Sequence, residues 1–153
     1  MNNYQYIERP PSIEDWIKIR ESISWSVEER KDFEIALQNT LYAVCVYNED
    51  EMIGMGRVIG DNRLCFYIQD VVVLSEFQKQ GIGHKIMYLI LKYISLHASK
   101  HATVGLFSAL GKESFYKEIG FISRPNKIKG CGMYIEPSTA AVYINQYPNY
   151  KAL

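Results

Sequence analysis

The stretch Asp70-Val71-Val72-Val73-Leu74-Ser75-Glu76-Phe77-Gln78-Lys79-Gln80-Gly81-Ile82-Gly83-His84 decides how this chain is read. An apolar, β-branched run gives way to a polar loop with two glycines, and then to a helical period. Ile82, Ile86, Leu89, Ile90, Tyr93 and Ile94 recur at three- and four-residue steps, and no proline interrupts Gly81 to Leu96. That spacing predicts an amphipathic helix. A strand that enters a helix through such a loop leaves backbone N–H groups unpaired at the helix start. Together with the positive end of the helix dipole, those donors suit a phosphate or diphosphate. Gly81 and Gly83 have no Cβ to hold an anion away from the backbone, and Lys79 and Lys85 add charge.

Upstream, Leu64–Leu74 is apolar almost throughout, which predicts a strand covered on both faces. Leu41–Tyr47 and Met52–Ile59 flank the polar turn Asn48-Glu49-Asp50-Glu51 and read as a hairpin. Ser12 is placed to cap a helix, with Glu14 and Asp15 in the first turn and Trp16, Ile17, Ile19 and Ile23 as its apolar face. A second helix is expected from about Ser26 to Gln38, and a short strand at Tyr4–Glu8. Downstream, Thr103–Phe107 reads as a strand and Lys112–Ile119 as a helix closed by Gly120. Short strands are expected at Phe121–Ser123 and Met133–Glu136, with an irregular segment after them. The sum is one α/β (α+β) domain over residues 1–153, a mixed central sheet flanked by helices.

At 153 residues a second domain would leave each half a thin core. An apolar fraction of 48% with 22% charged residues excludes a disordered tail. No run of eighteen apolar residues exists, so no membrane partner is expected. Cys45, Cys65 and Cys131 are an odd set without a C-x-x-C pair, and the start lacks a secretory pattern; both point to a reducing cytoplasm. Cys45 and Cys65 read as inert strand fillers. His97 and His101 stand four apart without the glutamate of H-E-x-x-H, so no metal site is expected. Residues 1–60 hold eleven acids against six bases, a charge of −5, and residues 61–153 carry the balancing +5. That split suits a cationic ligand beside one part and an anionic one beside the other. No basic tract with interleaved aromatics points to nucleic acid.

The dinucleotide pattern G-x-G-x-x-G fails at Ile86, and the P-loop pattern fails because His84 follows Gly83. What fits is Q-x-x-G-x-G, Gln78 to Gly83, after a V-x-V strand. This segment resembles motif A of the GCN5-related N-acetyltransferases, whose loop binds the diphosphate of acetyl-coenzyme A. Thirty-three residues beyond Gly83 stands Tyr116, within Phe115-Tyr116-Lys117-Glu118-Ile119-Gly120-Phe121. That run is similar to the family's F-Y-x-x-x-G-F signature. Gly130-Cys131-Gly132-Met133 resembles a glycine-rich stretch of some members. The chain departs from the pattern at Ala109, where many members carry an asparagine that contacts the pantetheine arm.

The resemblance implies direct attack of an amine on the thioester of acetyl-coenzyme A, with no metal. It implies that the Val71 N–H polarises the acetyl carbonyl and that Val73 backbone groups pair with pantetheine. Lys79, Gln80, Gly81, Ile82, Gly83 and His84 would give loop amides to the diphosphate. Tyr116 would be the general acid for the leaving thiolate, since a phenol is protonated at neutral pH. For the base, Asp70 leads, with Glu34 and His84 as alternatives. The acceptor read this way is a small primary amine. A protein N-terminus or lysine is the alternative within the enzyme class, and a coenzyme-binding sensor without turnover is the rival outside it. The tyrosine-rich Tyr143–Tyr150 is a candidate homodimer contact.

Overall fold

The computed structural model describes residues 3–146. The chain divides into two compact units, Met1–Phe107 and Ser108–Leu153. The first holds a mixed five-stranded sheet in the order β1 (Gln5–Ile7), β2 (Tyr42–Asn48), β3 (Glu51–Gly60), β4 (Cys65–Val73) and β5 (Thr103–Gly105). Neighbours from β1 to β4 are antiparallel, while β4 and β5 are parallel. Helices α1 (Ile13–Ser22) and α2 (Arg30–Gln38) lie between β1 and β2, and α3 (Ile82–His97) between β4 and β5. A parallel neighbour needs a crossover of this kind. The mixed α/β architecture is the one the sequence predicts.

α1 starts where its cap dictates. Ser12 is extended, and its hydroxyl accepts the Asp15 N–H at 3.0 Å, with Glu14 and Asp15 in the positive first turn. α2 begins at Arg30, later than expected, after an irregular segment from Ile23 to Glu29.

Two glycines set how closely α3 lies on the sheet. A Cβ on Gly56 would come within 2.8 Å of Ile90 and 2.9 Å of Ile86, and one on Gly54 within 3.0 Å of the Val72 carbonyl oxygen. The bare backbone of β3 therefore lets Ile86 and Ile90, both fully buried, seat directly on it. Strand alternation puts Met55 and Arg57 on the opposite face, where Arg57 lies over the ring of Trp16 of α1. β3 is thus sandwiched, and residues 52–58 are all buried.

β4 is not covered on both faces along its length, as its composition suggests; buried and half-buried residues alternate. Phe66 and Ile68 lie opposite Gly60 and Val58 and share the α3 face, whereas Val72 lies opposite Met55 and shares the α1 face. The switch happens because Asp70 and Val71 together stand against Gly56, a β-bulge. One extra residue reverses the facing of all that follow.

The second unit holds α4 (Glu113–Ile119) and α5 (Pro137–Asn145). Neither Phe121–Ser123 nor Met133–Glu136 is a strand, and the segment expected to be irregular contains α5 instead. These runs of three and four residues have no ladder partner among the described residues, and without cross-strand pairing a short run has no reason to be a strand. Pro137 opens α5 at a position where its missing N–H costs nothing.

Candidate active site

β5 pairs with β4 only at Cys65, Phe66 and Tyr67. Past that point Ile68–Val73 have no register partner in β5, so the sheet opens on that side of β4. Where the strands part, the Tyr67 hydroxyl accepts the Phe107 N–H at 3.1 Å, and the two rings meet edge to face. Burial raises the Tyr67 phenol above its ordinary range, partly offset by that N–H.

The bulge lies in this opened half. Asp70 has φ +53°, a left-handed conformation uncommon for any residue but glycine. Its side chain is only 2% exposed, and both oxygens are claimed. Arg57 Nε donates to Oδ2 at 2.6 Å, and Arg20 Nη1 donates to Oδ1 at 3.0 Å. Val71, expected to present its N–H to an acetyl carbonyl, is the bulge's second residue; neither it nor Asp70 has a register partner in β3.

Beyond β4 the chain makes one 3-10 turn, Ser75–Phe77, and reaches the glycine loop. Gln78 leads Q-x-x-G-x-G, and its Nε2 donates to the Val73 carbonyl at 2.9 Å, tying the loop back to the strand end. One lone pair of that carbonyl is thus taken within the protein. Gln80 accepts the Tyr4 hydroxyl at 2.8 Å and donates to the Glu76 carbonyl at 3.3 Å. Lys79 and Gly81 both have positive φ, +60° and +81°. Gly81 is the α3 N-cap; a Cβ built on it would meet nothing within 4 Å. Glycine is needed there for its backbone conformation, and the space above it is open. Ile82 is buried and anchors the first turn, while Lys79, Gln80, Gly81 and His84 are exposed and Gly83 half-buried. Lys85, exposed in the first turn of α3, holds its ammonium 4.2 Å from the centre of the Tyr6 ring in β1. A loop that enters a helix through a glycine N-cap, with left-handed turns and open space over that glycine, fits the diphosphate of a coenzyme.

In the second unit Tyr116 sits half-buried on α4 among aromatics, its ring centroid 5.0 Å from that of Phe115 and 5.9 Å from that of Phe121. Gly120, at φ +110°, ends the helix, and the Phe121 N–H returns to the Tyr116 carbonyl at 3.0 Å. F-Y-x-x-x-G-F is therefore a helix-stop motif whose aromatics pack on one another. Ala109 lies in the preceding turn, its carbonyl accepting the Lys112 N–H at 3.0 Å.

Three other readings resolve. Cys45 is buried and its thiol is pushed up to about 12, chiefly by burial, as an inert filler should be. Cys65 is exposed at the first position of β4, so it is not a filler. His97 stacks on Tyr93 at 4.1 Å, with Nδ1 2.8 Å from the Tyr93 carbonyl, and Tyr93 stacks in turn on Tyr42. Among the described residues no three His, Cys, Asp or Glu side chains gather as metal ligands would, and no helix is long and apolar enough to cross a membrane. Tyr147 to Tyr150, half of the candidate homodimer contact, lie outside the described residues. The residues that sequence reasoning missed are Arg20, Arg57 and Gly56. Each acts on the bulge through pairing across the fold, which no local pattern records.

Comparison with known proteins adds to this geometry. The family model for the acetyltransferase (GNAT) domain matches residues 19–134. An uncharacterised N-acetyltransferase, ycf52, of Gracilaria tenuistipitata var. liui is 30% identical over 88% of this chain and 75% of its own length. GCN5-related N-acetyltransferase 1, chloroplastic, of Arabidopsis thaliana is 32% identical over 63% of this chain and 49% of its own length. Among solved structures, a protein of unknown function from methicillin-resistant Staphylococcus aureus, described as a probable acetyltransferase, superposes with a TM-score of 0.78. It is 34% identical, covering 87% of this chain and 98% of its own.

Proposed function

From the premise that this chain belongs to the GCN5-related N-acetyltransferase family and is an acyltransferase, we propose that it moves an acetyl group from acetyl-coenzyme A to a small primary amine by direct attack. The observation that carries the reading is the glycine loop, with Gly81 open above its left-handed backbone at the start of α3, beside the half of β4 that β5 does not pair. Lys79, Gln80, Gly81, Ile82, Gly83 and His84 present the diphosphate-binding surface, and Val73 lies along the path of the pantetheine arm. The Val71 N–H is aimed at the acetyl oxygen, where a donor of this kind is worth about 3 kcal/mol as charge develops. Tyr116 gives its proton to the departing sulfur. Asp70, the sequence-based choice for the base, already accepts from two guanidinium groups, which supports a structural part over proton abstraction. The coenzyme supplies the activated thioester.

Acidic residues in the first sixty favour a cationic acceptor. The free cysteines support a reducing compartment, the cytoplasm in our reading, although a relative from Arabidopsis thaliana is named chloroplastic. The test is release of thiol from acetyl-coenzyme A against a panel of amines. Turnover that falls about 100-fold in Tyr116→Phe, with coenzyme binding retained, is the expected result. Tight coenzyme binding with no turnover on any amine would replace the enzyme with a sensor.

A further inference from the structure

The strain at Asp70 has two cationic partners. A non-glycine residue at φ +53° inside a strand persists only where its surroundings over-determine it. Arg57 reaches Asp70 from β3 and spends its other contacts holding that geometry. Its Nη1 donates to Thr40 Oγ1 at 3.1 Å, just past the end of α2, and its guanidinium lies 4.6 Å over the Trp16 ring of α1. Arg20 reaches the same carboxylate from the last turn of α1. It also organises the α1–α2 segment: Nε donates to the Ser26 carbonyl at 2.8 Å, the guanidinium lies 5.4 Å from the Trp25 ring, and the Arg20 carbonyl accepts the Trp25 N–H at 2.9 Å. One carboxylate, its side chain 2% exposed, therefore joins two guanidinium groups at 10% and 17%. The trio ties β3, the β4 bulge, both helices and the segment between them.

We propose that Arg20, Asp70 and Arg57 form a positioning triad that fixes the β4 bulge to the α1–α2 segment, so that Asp70 aims the backbone at Val71 and does not take the substrate's proton. The assignment rests on the acetyl-transfer reading for its chemical consequence, but not for its geometry. An incoming ammonium would have to displace a guanidinium from a carboxylate whose oxygens both accept already. The bulge, by contrast, needs both arginines. Without Arg20 the α1–α2 segment is untied from the bulge; without Asp70 the two arginines repel each other across it. A backbone donor that moves by a fraction of an ångström is lost mainly to the transition state, because that is where its partner carries charge.

The experiment compares Asp70→Asn, Arg20→Gln and Arg20→Lys with the unaltered chain by steady-state kinetics and by hydrogen exchange of the amides in 23–29 and 70–73. Asp70→Asn and Arg20→Gln are expected to lower kcat by about 10- to 100-fold, with the KM for acetyl-coenzyme A held within about threefold. The loss should be equal for amines that are neutral and amines that are protonated at the assay pH. Exchange should quicken in both segments in either variant, and Arg20→Lys should recover part of both effects. If Asp70→Asn proves too unstable to assay, Arg20→Gln carries the comparison from the more exposed end of the triad. A loss that disappears with neutral amines makes Asp70 the base and overturns the proposal. So does an Arg20→Gln variant whose kcat and exchange are unchanged. Should the unaltered chain turn over no amine, the acetyl-transfer reading fails, and exchange alone decides the triad: joint quickening sustains it, independent segments overturn it.

Discussion

Asp61 shows how one side chain shapes a turn next to the site's main strand. Its Oδ1 accepts the N–H groups of Arg63, Leu64 and Cys65 at 2.9, 2.7 and 2.9 Å, and these donors hold the carboxyl below its usual range. A carboxyl lowered in the folded state stabilises it above the unfolded pKa of about 3.9 and loses that contribution as pH falls through the folded value. Asp61→Ala should therefore lower Tm at pH 7, and the gap to the unaltered chain should close below about pH 4, as thermal scans from pH 7 to 2.5 would show. The cysteines give a second test at this scale. Cys65 and Cys131 are exposed and Cys45 is buried with its thiol at about 12. At pH 8 a thiol reagent should label two sites quickly and the third only after denaturant is added. At Gly81 the two uses of a glycine separate. A Cβ meets no protein atom, so Gly81→Ala costs only the left-handed backbone, about 1–2 kcal/mol. Its effect on coenzyme affinity, read by calorimetry, should exceed what that strain explains, because the new methyl occupies the space we propose for the diphosphate.

Elements are where pairing decides what side chains can do. α3 rests on β3 because Gly54 and Gly56 leave it room, so Gly56→Ala must push back Ile86 and Ile90, side chains that are 0% exposed. Overpacking of that kind costs about 1–3 kcal/mol, and urea unfolding would report it. It also bears on the site, since Gly56 is the residue that faces the bulge. The hairpin, α1 with its Ser12 cap, and α3 were legible in the sequence because each is written in a local code: a turn, a cap, a period. The glycine loop was legible for the same reason, as the junction between a strand and the helix that follows it. Lys85 was not, because its placement depends on Tyr6, seventy-nine residues away in sequence and brought near by the sheet. The bulge was invisible too. β4 alternates in burial across it while changing face, so the apolar pattern carries no trace of the extra residue. The short runs at Phe121–Ser123 and Met133–Glu136 have strand composition, yet strand formation is settled by a partner they do not find among the described residues.

At the scale of the whole molecule, the buried core and the proposed general acid belong to different parts of the chain. Among the described residues, every buried hydrophobic side chain falls between Ile13 and Ile94, within the first unit. The proposed general acid lies in the second, half-buried in a small aromatic cluster. Global unfolding is governed by the apolar area withdrawn from water, so the two functions should respond to different substitutions. Ile90→Ala removes a fully buried side chain where α3 meets Gly56 and should cost about 2–5 kcal/mol. Its purified protein should keep more of its kcat than Tyr116→Phe does at temperatures well below the lowered Tm, because Ile90 is a buried core side chain and is not among the groups proposed to meet the coenzyme or the substrate. Tyr116→Phe deletes one hydroxyl outside that core and should move the unfolding free energy by no more than about 0.5 kcal/mol. The same change should take most of the turnover with it. Urea melts and thiol-release assays on both variants make a crossed comparison. A Tyr116→Phe protein that unfolds as easily as Ile90→Ala would place the phenol in the cooperative core, and its lost activity would then say nothing of proton donation.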